Sequence, residues 1–134
     1  MAPEPRVWRN RVAEVGTRYH RALLVDRDGS VLDQSSFTGT IAAKIFDLDG
    51  ETPETAVYSN SSNLISAWVF NSLQTWEDNE TGFNFEAYIT SNQYAYEGGH
   101  TYRVCFYLQR ASGTPGDGVL SVLFENKVEW QLGA

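Results

Sequence analysis

Two runs of strict alternation constrain this chain most. Phe83, Phe85, Ala87 and Ile89 alternate with Asn84, Glu86, Tyr88 and Thr90. After a loop that ends at Gly98-Gly99, Tyr102, Val104, Phe106 and Leu108 alternate with Thr101, Arg103, Cys105 and Tyr107. Successive strand residues point to opposite faces, so each run predicts a strand with one apolar face on a core. The polar sets, which include Tyr88 and Tyr107, then face away from it.

Weaker strand signals surround these two. Arg21–Asp26 is apolar in its middle, and Asp28-Gly29 marks a tight turn into Val31-Leu32. Thr40–Asp47 alternates and stops at Asp49-Gly50. Ala56–Ser59 reads as a short strand, followed by a polar turn over Asn60–Asn63. Leu64–Phe70 is apolar almost throughout, the pattern of a central strand buried on both faces. Ala111–Gly118 is a Gly- and Pro-containing loop, after which Val119–Phe124 and Val128–Leu132 read as strands. Turn signals roughly every 8–12 residues, with no βαβ unit, predict an all-β sandwich of about seven or eight antiparallel strands. A closed barrel is the rival architecture. At 134 residues and 42% hydrophobic composition, the chain suits one domain with one core.

Charge divides the chain differently. Residues 1–27 hold six arginines against three acids, whereas residues 28–134 hold four bases against fourteen acids. Residues 1–20 also contain Pro3 and Pro5 and show no clean strand period; a short amphipathic helix around Val7–Val15 fits as well as anything. They read as an extended N-terminal arm, with the sandwich over 21–134. A basic arm ahead of an acidic body suits docking on an acidic protein surface, its own oligomer mates included. Arg6, Trp8, Arg9, Arg11 and Arg18 are the candidate partner-binding residues, since Trp and Arg are enriched at interface hot spots. The acidic body would repel phosphates, which argues against nucleic acid.

Catalytic signals are sparse. The two histidines, His20 and His100, sit in no nucleophile motif, and Cys105, the one cysteine, reads as a small apolar residue on a sheet. Asp47-Leu48-Asp49-Gly50-Glu51 and Asp26-Arg27-Asp28-Gly29-Ser30 match calcium loops only in part, because neither supplies the third ligand and the distal Glu. They read as ordinary turns. Glu77, Asp78 and Glu80 beside Trp76 evoke a glycosidase, but catalytic acids normally come from separate elements facing a cleft. The expectation is a non-enzyme with no cofactor or metal. One cysteine forms no internal disulfide, no apolar run reaches 18 residues, and the N-terminus lacks a signal-peptide stretch, so neither membrane nor secretion is expected.

Residues from about Gly39 to Trp130 resemble a family of small immunoglobulin-like β-sandwich proteins encoded among phage structural genes. Three segments carry the likeness: Ile41–Asp47 with its Lys-Ile-Phe-Asp centre, Thr81-Gly82-Phe83-Asn84-Phe85, and Gly98-Gly99-His100-Thr101-Tyr102-Arg103-Val104. The resemblance implies an immunoglobulin-like, non-enzymatic virion component, assembled in the host cytoplasm: a head decoration, a head–tail connector or a tail or baseplate protein. Its partners would be capsid or tail subunits, and it would be a homo-oligomer within the assembly. The alternative is a carbohydrate-binding sandwich, with Trp76, Tyr94 and Tyr96 as stacking residues and a glycan as ligand.

Overall fold

The alternating runs form strands that lie in opposite sheets of a sandwich. The computed structural model describes residues 7–12, 17–26, 29–75, 82–111 and 118–129; for 7–12 it gives the strand and its pairing. One sheet is assembled from β1 (Val7–Val12), β8 (Val119–Val128), β7 (Thr101–Arg110), β3 (Phe37–Asp47) and β4 (Ala56–Leu64), in that order. The other is ordered β2 (Thr17–Ala22), β6 (Phe83–Thr90), β5 (Val69–Gln74). All pairings are antiparallel except β1 with β8, which is parallel.

The core lies between the sheets. β3 gives Ile41, Ala43 and Ile45, β6 gives Phe85, Ala87 and Ile89, and β7 gives Tyr102, Val104, Phe106 and Leu108. Phe106 joins the layers: its ring is 5.5 Å from Phe85 of the opposite sheet, 5.8 Å from Phe124 of its own and 5.5 Å from Trp68. Edge-to-face contacts of this kind add to area burial by setting positive ring edges against negative faces.

Several expectations change. The segment expected as an arm supplies a strand to each sheet, so a boundary at residue 20 falls inside β2. Val7–Val12 is a strand, not part of a helix. The β2 alternation was hidden by its own chemistry: the inward positions are Arg18, His20 and Ala22, so the buried face does not read as apolar. Leu64–Phe70 is not a central strand. It ends β4, forms one helical turn, α1 (Ile65–Trp68), and begins β5 at the edge of the small sheet; Leu64 is 60% exposed. A short apolar run carries no period to separate these cases. The expected turn at Asn60–Asn63 continues β4, which as an edge strand with a solvated face tolerates a run of Ser and Asn. Val119–Phe124 extends to Val128 as one strand, while Trp130–Leu132 lie outside the described residues.

Asn84 fixes how the β2–β3 connection crosses the small sheet. The alternation assigns it to the polar side of β6, yet it is fully buried and bonded to Leu24 and Leu32, both residues of the core. Its side chain accepts from Leu24 N at 2.6 Å and donates to Leu24 O and Leu32 O at 3.0 and 2.7 Å. A narrow excursion, closed by the Val25–Val31 bridge, is thereby tied to the sheet.

Candidate functional site

The described candidate docking residues fall into two environments. Arg9 and Arg11 stand in β1, in register with Glu125 and Lys127, and Trp8 in register with Phe124. β1 is the last strand of its sheet. Arg6 lies outside the described residues. Arg18, by contrast, is not a surface residue: it is 3% exposed. Its guanidinium lies 3.7 Å from the Tyr96 ring centre and donates from Nη1 to Tyr94 O at 2.5 Å. Burial lowers its pKa, opposed by the surrounding tyrosine hydroxyls. It points inward because β2 alternates and position 18 shares the face of His20 and Ala22.

The stacking residues are redistributed as well. Trp76 lies outside the described residues. Tyr96 is 4% exposed with both ring faces covered, by Arg18 on one contact and by a parallel stack on Tyr102 at 4.2 Å on another. It is no platform for a sugar. Burial pushes its hydroxyl up to about 12. Tyr94 is half-buried and packs near Tyr58, Tyr96 and Tyr102, each with ring centres 6.0 Å away. A loop residue carries no period, so the sequence held no signal for which tyrosine turned inward.

The groups with the greatest chemical capacity are committed to the fold. His20 is fully buried, with its ring edge-on to Phe106 and Phe124 at 5.4 and 5.0 Å. Nδ1–H donates to Ala87 O at 3.3 Å, and Nε2 accepts from Asn126 Nδ2 at 2.7 Å; the same amide donates to Tyr96 Oη at 3.2 Å. This tautomer is assigned from its partners and requires a neutral ring. Burial, with the Arg18 charge adding to it, lowers the His20 pKa to about 4. His100 does the opposite. It stands before β7 with Nδ1 2.9 Å from Asp47 Oδ2 and Nε2 3.4 Å from Glu97, and the hydrogen bond to Asp47 raises its pKa. Cys105 lies on the outward side of β7 but is only 4% exposed, and burial pushes its thiol up. A raised thiol pKa leaves little thiolate for chemistry.

The acidic turns close on themselves. Asp47 accepts from Asp49 N at 3.0 Å, and Asp49 accepts from Thr101 N at 2.7 Å. Asp26 meets Arg110 at 3.4 Å. Among the described residues, no three His, Cys, Asp or Glu side chains come together as a metal site. Glu77, Asp78 and Glu80 lie outside the described residues.

Two aromatic side chains stand outward together. On the outer face of the small sheet Tyr19 of β2 and Tyr88 of β6 are 57% and 42% exposed, paired in register with ring centres 6.2 Å apart. Beside them Arg21 Nε donates to Glu86 Oε2 at 2.6 Å, and the Arg21 guanidinium rests 4.6 Å from the Phe83 ring centre. The outward turn of Tyr88 follows from the period of β6; Tyr19 was missed with its strand. No family model, curated protein or solved structure matches the chain.

Proposed function

We propose that this protein is a non-enzymatic structural component of a multi-subunit particle, of the virion kind, that docks onto neighbouring subunits through its N-terminal strands. The observation that carries the reading is the placement of the basic N-terminal segment: β1 and β2 are each the edge strand of a sheet, and β2 turns Tyr19 outward beside Tyr88. Exposed tyrosines on a rigid sheet supply contact area at low entropic cost, and edge strands are where further chains attach. The roles of His20, His100 and Cys105 in packing and ion pairing favour structure over catalysis.

An immunoglobulin-like lineage for the sandwich is part of this proposal. The order β8-β7-β3-β4 against β2-β6-β5 corresponds to strands G-F-C-C′ against B-E-D of that fold. Tyr102 lies near the start of β7, the F position, and its hydroxyl accepts from Glu97 N at 2.9 Å, five residues upstream. That is the geometry of a tyrosine corner. Rigid sandwiches of this type serve as repeated building blocks, which suits a decoration, connector or tail component alike.

The test is direct. The chain is expressed with the structural genes that neighbour its own, and particles are purified by density gradient. The expected result is co-sedimentation, lost when Arg9→Glu and Arg11→Glu are introduced together in a chain that still melts cooperatively. Purified particles that lack the unaltered chain overturn the proposal.

A further inference from the structure

The outer face of the small sheet is arranged for one particular partner. Residues opposite one another in an antiparallel pair stand at the same level along the strands. Here those levels hold Thr17 with Thr90, Tyr19 with Tyr88, and Arg21 with Glu86. A two-fold axis parallel to the strands, lying above the line between β2 and β6, lays β2 of one copy over β6 of the other. Each level is then met by itself with the two strands exchanged. Tyrosine meets tyrosine, Arg21 meets Glu86 of the second copy, and Glu86 meets its Arg21. An isologous contact requires this reciprocity, residue i on j and j on i. A like-charged pair at that level would place repulsion on the axis twice; an Arg–Glu pair places attraction there twice.

We infer that this face is a homodimer contact, with two copies of the chain stacked through Tyr19, Tyr88, Arg21 and Glu86. The inference rests on the assembly reading and names one of its contacts. Three further observations support it. Among the described residues Arg21 engages Glu86 through Nε alone, and a guanidinium carries further donors for a second carboxylate. The Arg21 side chain is held in place by Phe83, so little order is left to impose on binding. Among the described residues of β2, β6 and β5, Arg21 balances Glu86 on this face, whereas the chain carries −7 overall, so the copies meet where the charges offset. Sheet twist turns the stacked layers by roughly 30° and keeps the central rows in contact.

The test uses the full chain alone. Sedimentation equilibrium from low micromolar to millimolar concentration is expected to show a monomer–dimer equilibrium. Arg21→Glu makes the level acidic on both strands and Glu86→Arg makes it basic on both; each is expected to weaken self-association about tenfold or more. An equal mixture of the two variants restores dimers, because acid then faces base at both contacts. Should either charge variant melt early, chains carrying Thr17→Cys mixed with chains carrying Thr90→Cys are expected to be joined into a heterodimer by a bis-maleimide that spans the roughly 10 Å between packed sheets. A wild-type chain monomeric throughout overturns the inference, as does a variant that dimerises like wild type, or a mixture or cysteine pair that yields no heterodimer. A chain monomeric alone yet present in purified particles fails this inference and leaves the assembly reading intact. A dimer through this face that enters no particle does the reverse.

Discussion

Lowering the pH from 7.5 to 5 should cost this protein about 2 kcal/mol through one side chain, His20. The ring is fully buried, both nitrogens are used in its neutral form, and burial holds its pKa at about 4 against an ordinary 6.5. The folded state therefore binds fewer protons than the unfolded state between those values, and stability falls as pH falls through that window. It is full above about 6.5 and, for this group, reaches its floor below about 4. The whole interval is worth about 3 kcal/mol at 1.36 kcal/mol per pKa unit, of which about 2 is spent by pH 5. Arg18, on the same face two residues away, adds to the cost of a second cation. The assay is chemical denaturation at both pH values, on wild type and on His20→Gln, which can still accept from Asn126 without titrating. Carboxylates and His100 contribute equally to both proteins, so the difference in pH slope isolates His20. Equal slopes would refute the neutral, buried assignment, as would a midpoint near 6.5 for the His20 ring followed by NMR.

His100 should show the opposite sign. Its pKa is raised by the hydrogen bond to Asp47, so its contribution is present below the unfolded value and lost as pH rises through the folded one; an NMR titration should place its midpoint above 6.5, and Asp47→Asn should return it toward 6.5. Asn84→Leu removes three hydrogen bonds to the buried backbone of Leu24 and Leu32 and should cost about 3 kcal/mol or more in urea denaturation, with the midpoint shifted and the slope kept. Tyr102→Phe deletes the acceptor for Glu97 N and should cost about 1 kcal/mol, read as a lower melting temperature. Gly82→Ala should cost about 2 kcal/mol or more by the same measure, because φ is +99° and a Cβ there would collide with the Gln74 carbonyl oxygen.

What the sequence disclosed follows from where the core is purely apolar. Strands β6 and β7 were legible because Phe85, Ala87 and Ile89 of one and Val104, Phe106 and Leu108 of the other are apolar without interruption. β2 was not, because two of its three inward residues are Arg18 and His20, whose partners lie far along the chain: Tyr94 and Tyr96 for one, Ala87 and Asn126 for the other. No local pattern announces that a basic residue will be satisfied by elements 67 to 106 residues away. Asn84 was misleading for a related reason. The alternation assigns it to the polar side of β6, yet it is fully buried, and the connection at Leu24 and Leu32 depends on that side chain. On the candidate surface, Tyr88 could be placed from period alone. Tyr19 waited on the recognition of β2, and Tyr96 on the packing of a loop.

The charge division gains a different meaning once the N-terminal segment is folded in. A basic arm ahead of an acidic body would be a tether, and its arginines interchangeable. In the sandwich they are not. Arg18 serves the interior by capping the Tyr96–Tyr102 stack. Arg21, three residues on, serves the exterior by holding Glu86. Arg9 and Arg11 stand in the strand that ends the large sheet. Substituting Arg18 should therefore lower stability, whereas substituting Arg21 should lower association and leave stability nearly unchanged, since an exposed ion pair contributes little to folding, and substituting Arg9 together with Arg11 should lower association. Denaturation and sedimentation measured on the same three variants would separate these roles. A tether would lose association in all three cases and stability in none.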